Sequence, residues 1–269
     1  MPAKESSRTL SDRRASQRSH RLRVGFVLAL GVSLLFTESA LGQETIIADR
    51  PGIGSGSSVL SSGLIQVEGG GQFADSDAGD QYTFGQLLLR LGFSILEVQA
   101  NFGSFVAERS SATDRNGFID PSVGVKVPLL PPSGSSVSVS ALLNTTIPIG
   151  SSTFGNPEWV PSATLLADWA ATSSNTVTGN VGYGFGPGAA EEVLSVILTP
   201  SLAPEAWKGV GAFLGYAGFF APTEDLHFAE AGLTYSPNAN WQFDVNGGVE
   251  TGSGDFFFGF GLATRGAER

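Results

Sequence analysis

The feature that most constrains this chain is a two-residue alternation that recurs along most of its length. Within 241–264, Trp241, Phe243 and Val245 interleave with Gln242, Asp244 and Asn246. Beyond a Gly-Ser-Gly turn, Phe256, Phe258, Phe260 and Leu262 interleave with Phe257, Gly259, Gly261 and Ala263. A period of two belongs to a β-strand whose two faces meet different surroundings. Twelve segments of this kind are legible, at about 63–73, 82–92, 95–103, 119–127, 136–147, 161–171, 175–184, 191–199, 207–217, 227–235, 240–250 and 255–265. No long stretch carries a 3.6-residue apolar period, so the class is all-β. The segments run to the ~9–12 residues that a tilted strand needs to cross a bilayer. Connections after odd segments, such as SFVAERSSATDRNG and PIGSSTFGNPEW, tend to be longer than those after even ones, such as TSSN and SPNAN. Long loops at one end and short turns at the other are how transmembrane barrels are built. The reading is a closed antiparallel transmembrane β-barrel of about 12 strands. A soluble sandwich would show the same alternation turned inward; segment length and number favour the barrel.

The N-terminal region supports export. Residues 1–23 carry seven basic residues, followed by a 13-residue apolar run, Val24 to Phe36, and small residues at Ala40 and Gly42. That run suits a signal-peptide core and is shorter than the ~20 residues of a membrane-spanning helix. The chain therefore divides into a signal peptide (1–42), a Gly/Ser-rich flexible periplasmic lead-in (43–62), the barrel (63–265) and a short tail (266–269). Residues 43–269 hold eight basic and 22 acidic side chains, a net charge of −14, which excludes nucleic acid as a partner. With no cysteine, disulfides and thiolate metal sites are absent.

Hairpin register assigns the faces. With the second hairpin centred between Phe93 and Ser94, Leu91 faces Leu96 and Leu89 faces Val98, while Arg90 meets Glu97. In the last hairpin Val249 pairs with Phe256, Val245 with Phe260 and Phe243 with Leu262; Asp244 meets Gly261 and Asn246 meets Gly259. The polar face lines the lumen and a transport path: Gln66, Glu68, Arg90, Glu97, Gln99, Asn101, Lys126, Asn144, Asp168, Asn180, Asp244 and Asn246. The greasy face, with Trp169, Tyr235, Trp241, Phe243, Phe256, Phe258 and Phe260, meets lipid, the first three at one interfacial girdle.

Catalytic and cofactor signals are weak. His227 is the single histidine after residue 42 and reads as a rim residue; GIGSGSS (52–58) and GYGFGPG (182–188) lead into no helix, so neither is a phosphate loop. No cofactor, metal or enzymatic activity is expected.

Asp49-Arg50-Pro51, Gln66-Val67-Glu68-Gly69-Gly70, LLLRLGF (87–93) with LEVQANF (96–102), Gly124-Val125-Lys126, the Ile147-Pro148-Ile149-Gly150 corner and the final 33 residues to Arg265 stand in an order and spacing that resembles the "MetA-pathway of phenol degradation" family. The resemblance implies an outer-membrane barrel that passes small solutes, with small aromatic or hydrophobic compounds as candidates. Its partners would be outer-membrane lipid and lipopolysaccharide, the solute, and the outer-membrane assembly machinery. The alternative is a structural or surface-interaction barrel with a sealed lumen. A pore would prefer cations, with Glu68 and Asp244 as the residues that set the preference.

Overall fold

The computed structural model describes residues 45–76, 79–111, 113–130, 135–186 and 193–266. The signal peptide and residues 267–269 of the tail lie outside the described residues.

Twelve antiparallel staves close on themselves. They are β1 (Ile65–Ser76), β2 (Gly79–Phe84 and Leu88–Gly92), β3 (Glu97–Asn101 and Phe105–Arg109), β4 (Arg115–Phe118 and Ser122–Leu130), β5 (Val137–Thr146), β6 (Pro161–Ala170), β7 (Asn175–Gly184), β8 (Leu194–Leu202), β9 (Val210–Phe220), β10 (Asp225–Asn238), β11 (Trp241–Glu250) and β12 (Phe256–Arg265). Each stave pairs with the next, and β1 closes the ring against β12 from Gln66↔Arg265 to Asp75↔Phe256. Closure matches the sequence reading and, apart from the loop-end part of β4, leaves no strand edge among the described residues to be satisfied by lipid, which offers no hydrogen bonds.

Three neighbouring staves break at one level. Residues 85–87 of β2, 102–104 of β3 and 119–121 of β4 leave the ladder, and Gly85 and Gly103 take φ of 72° and 74°, a region that only glycine enters cheaply. The bend is carried across by Gln86 N–H to Gly70 O, Phe102 N–H to Leu87 O and Ile119 N–H to Ser104 O. Beyond it the outer part of β4 has no strand partner on its far side. Ser151 of the 147–160 connection donates its N–H to the Phe118 carbonyl there and accepts the Phe118 N–H on its hydroxyl, and the Asp120 carboxylate receives the Gly150 and Asn156 N–H groups.

The alternation places the faces. Phe258 and Phe260 are 51% and 55% exposed on the outer wall, with Leu143, Leu165, Val181, Leu198, Leu214 and Leu233. An apolar band of this extent is untenable in water and requires a bilayer. Trp169, Tyr235 and Trp241 lie outward at the end of the barrel where β1 begins and β12 finishes, here called the turn end; Phe256 lies outward at the opposite, loop end. Phe243 is outward between them.

The last hairpin has the register read from the sequence, including Asp244↔Gly261 and Asn246↔Gly259. The second hairpin does not. Arg90 lies opposite Gln99, Gly92 lies opposite Glu97, and Phe93 N–H bonds to Leu96 O, so the turn is centred one residue later. The physical reason is the period itself: a two-residue slip leaves every apolar side chain on the same face, so Leu89↔Ala100 and Leu91↔Val98 satisfy the pattern equally well.

Candidate functional site

The lumen is occupied by residues 45–62. This corrects the reading of 43–62 as a flexible periplasmic lead-in for the residues described, because nearly every step of the segment is bonded to the inner wall. Asp49 and Arg50 N–H donate to the Glu68 carboxylate on β1. Arg50 donates to Gln86 on β2 and to the Phe260 carbonyl on β12, and lies 3.5 Å from Asp244 on β11. Its carbonyl accepts from Gln242. Ile53 N–H then bonds to Glu230 on β10, Ser55 N–H to Asn180 on β7, and Ser57 N–H to Asp168 on β6. Ser57 also meets Ser138 and Ser140 on β5, and Leu60 N–H ends the run on Glu97 of β3. Residues 50–60 thus trace most of a circuit of the inner wall, visiting the staves in descending order.

The composition of the segment makes this possible. A strand-free backbone buried in a barrel must have its N–H and C=O groups satisfied by side chains. Pro-Gly-Ile-Gly-Ser-Gly-Ser-Ser keeps its own side chains small, so the backbone approaches the wall closely enough for wall residues to reach it. The same logic runs in reverse at Arg50, whose guanidinium lies in a slot at the β1–β12 seam: a Cβ at Gly70 or Gly261 would sit 2.6 or 2.4 Å from it.

One arc of the wall, β1 to β4, is an ion network. Arg90 donates to Glu97 through Nε at 2.7 Å and Nη2 at 2.9 Å, and to Glu68 through Nη1 at 3.0 Å. It also reaches the Ile47 and Ser58 carbonyls. Lys126 donates to Asp49 at 2.9 Å and to the Gly56 carbonyl. Glu68, Glu97 and Lys126 have no exposed surface and Arg90 only 1%. Burial works against the Asp49 charge, but the Arg90 and Lys126 charges and the Lys126 and Gln99 hydrogen bonds outweigh it and hold the carboxyl below its usual range. Arg90 and Glu97 therefore pair, though diagonally rather than directly across.

Of the remaining lumen candidates, Gln66 donates to Glu68 and the Ile47 carbonyl, and Gln99 donates to Asp49 and Glu97. Asn101 caps the bend at Gly103, and Asn144 faces Gly124 across β4–β5. Asn246 faces Gly259 with its amide oxygen over that glycine. Sequence reasoning missed Asp49, Arg50, Glu230, Ser57 and Ser140. Glu230 was legible: Phe228, Gly232 and Thr234 share its parity on β10. It also missed that part of the lumen wall is apolar. Leu166, Ile197, Phe213 and Ala217 are buried inward, and Phe219, Phe228 and Phe257 form a run of edge-packed rings at 6.1 and 6.3 Å toward the loop end.

The segment does not fill the barrel. A cavity of about 930 Å³ remains at the turn end, lined by Ser135, Ser138, Ser140, Thr176, Thr178, Thr199 and Ser201 of the wall, by the segment itself, and at its far side by Phe213, Gln242 and Arg50.

A closed 12-stave barrel with a lipid-facing wall and a polar, partly hollow lumen is an outer-membrane barrel of the porin and channel type, and its place is the bacterial outer membrane. The chain belongs to the family described as "Putative MetA-pathway of phenol degradation", whose model matches residues 48–266 and so includes most of the lumen segment. No curated protein matches it. Among solved structures its fold is similar to an outer membrane channel from Pseudomonas putida F1 (TM-score 0.61, 12% identity, covering 78% of this chain and 97% of that one). It is also similar to the KdgM porin (0.54, 14%, 74% and 98%) and the NanC porin (0.51, 9%, 74% and 98%). At these identities the likeness is one of fold.

Proposed function

We propose that this protein is a channel for small solutes, narrowed by its own N-terminal segment. The observation that carries the reading is the hollow lumen: about 930 Å³ stays open at the turn end although residues 45–62 are bound inside. A barrel whose task was only structural would gain stability by filling that space. Porins of similar fold, one of them solved with disordered oligogalacturonate, support passage of small solutes. The lumen of this chain combines hydroxyls with inward phenylalanines. Phe213, Phe219, Phe228 and Phe257 offer faces to an aromatic or apolar solute, which agrees with the family description.

Transport is the reading rather than catalysis. His227 sits on the outer wall with its Nδ1 2.8 Å from the Tyr216 hydroxyl and Phe220 against its ring, which suits a headgroup-level aromatic cluster. Outer-membrane lipid and lipopolysaccharide are the partners that such a wall implies, and delivery there falls to the assembly machinery of the membrane.

Planar-bilayer recording of the refolded protein tests the proposal. Discrete conductance steps are expected, smaller than those of an open sixteen-stranded porin because twelve staves enclose a narrower lumen. Repeated insertions without current would defeat the channel and favour the sealed, structural alternative.

A further inference from the structure

The geometry points to a specific route through this lumen: a path for small cations that runs between the N-terminal segment and the β10–β11 wall, with Glu230 and Asp244 as the residues that select the charge. This rests on the channel reading above and adds to it where the path runs and what it prefers.

The first observation is where hydrogen bonding fails. Four buried side-chain polar atoms at this contact have no hydrogen-bond partner among the described residues: Arg50 Nε, Glu230 Oε2, and both oxygens of Asp244. Glu230 is 4% exposed and the Asp244 side chain is fully covered. The Ile53 amide takes one Glu230 oxygen and Arg50 approaches Asp244 only to 3.5 Å, so each carboxylate keeps acceptor capacity that ordered water between the segment and the wall would satisfy. On the β1–β4 side the charged groups of Arg90, Lys126, Glu97 and Asp49 all find protein partners. Water therefore has a reason to be on one side of the segment and little reason to be on the other.

The second observation is continuity with the cavity. The open space at the turn end reaches Gln242, Phe213 and Arg50. On β11 the next inward residue above Gln242 is Asp244, then Asn246. On β9 and β10 the next inward pair above Phe213↔Gly232 is Gly215↔Glu230. The two carboxylates thus stand one inward step beyond the cavity lining, on the path a solute would take past the segment.

The third observation is the sign. Two carboxylates face this gap against one guanidinium, and Arg50 is already shared with Gln86 and the Phe260 carbonyl. A wet constriction with an excess of acid concentrates cations and excludes anions. Glu68, expected from sequence to set the preference, is instead committed to Arg90, Gln66 and the Asp49 and Arg50 amides.

The chain's lack of cysteine supplies a test independent of current. Asn246→Cys places one thiol on β11 between the two acids. In the refolded full-length protein, a trimethylammonium methanethiosulfonate should modify it at least ~10-fold faster than the sulfonate analogue, after correction for their rates with a free thiol. Adding Glu230→Gln and Asp244→Asn should remove most of that bias. In bilayers the same double substitution should move the reversal potential under a salt gradient toward zero, while Asp225→Asn at the loop end leaves it in place. Equal rates, no modification, or a bias that survives the double substitution would overturn the inference and leave the channel reading standing. Biased labelling with no current in any insertion would do the reverse: it would keep a wet, cation-attracting site and defeat the channel.

Discussion

The two sides of the lumen hold the same segment by different chemistry. On β1 to β4, Arg90, Lys126, Glu68, Glu97 and Asp49 form a buried network in which every charged group has a protein partner. On β5 to β11 the segment is held by single groups: Ser138, Ser140, Asp168, Asn180 and Glu230. Buried ion networks gain little over an apolar core of the same volume, yet lose heavily when one member is removed. Single neutral or charge-assisted bonds beside a water-filled cavity lose little, because water replaces the missing partner. The segment is therefore anchored on one wall and only guided along the other. A narrow passage can border the guided side without loosening the anchor.

The contrast can be broken most sharply at Arg90. Replacement by Met removes the cation shared by Glu68, Glu97 and Asp49, and denaturant unfolding of the refolded barrel should lose about 3–5 kcal/mol. Combining it with Glu97→Gln should recover part of the loss. A cost under about 1 kcal/mol for Arg90→Met alone would mean that the network does not anchor the segment. Next in size is Asp168→Ala, which removes the acceptor of Ser57 N–H, Ser57 Oγ and Thr178 Oγ1. Because that site opens onto the cavity, the expected cost is only about 1–2 kcal/mol by the same measurement. A loss as large as that of Arg90→Met would erase the distinction between the walls.

Amide exchange sharpens the comparison without mutation. The Ile53, Ser55 and Ser57 amides should exchange roughly tenfold or more faster than those of Asp49, Arg50 and Leu60, reflecting local release from the guided side. Uniform protection along 49–60 would show a segment held evenly. The smallest effect is expected outside the lumen: Trp241→Ala at the turn-end girdle should cost at most about 1 kcal/mol. Trp241 fluorescence should be quenched more strongly by lipids brominated near the headgroup than by lipids brominated at the chain ends. Equal quenching would move this ring away from the interface.

The sequence carried the wall well and the lumen poorly, for identifiable reasons. In the last hairpin, Asp244 and Asn246 each need a glycine opposite, so only one register fits. In the second hairpin both faces tolerate a slip of two, and only the backbone of Gly92 against Leu64 and Gly63 selects between them. The stretch from Asp49 to Ser62 was misread because a tether and a wall-lining backbone ask for the same small residues. What separates them lies elsewhere in the chain, in Asn180, which has Leu166 and Ile197 opposite it and no polar partner there to explain its inward position. Phe213 and Phe219 escaped notice because on β9 both faces are apolar, and a period of two is visible only when the faces differ.

The circuit made by residues 50–60 also has a temporal side. Arg50 is made early in synthesis, yet its partners Phe260 and Asp244 are made near its end, 210 positions away in the case of Phe260. Contacts so distant along a polymer are slow to form, because the entropy of closing the intervening loop must be lost before any of them stabilises the fold. The opening stretch of the chain therefore has to remain unattached while the staves assemble, and it settles only when the two ends of the sequence have met. Its seating is a molecular record that the barrel has been completed.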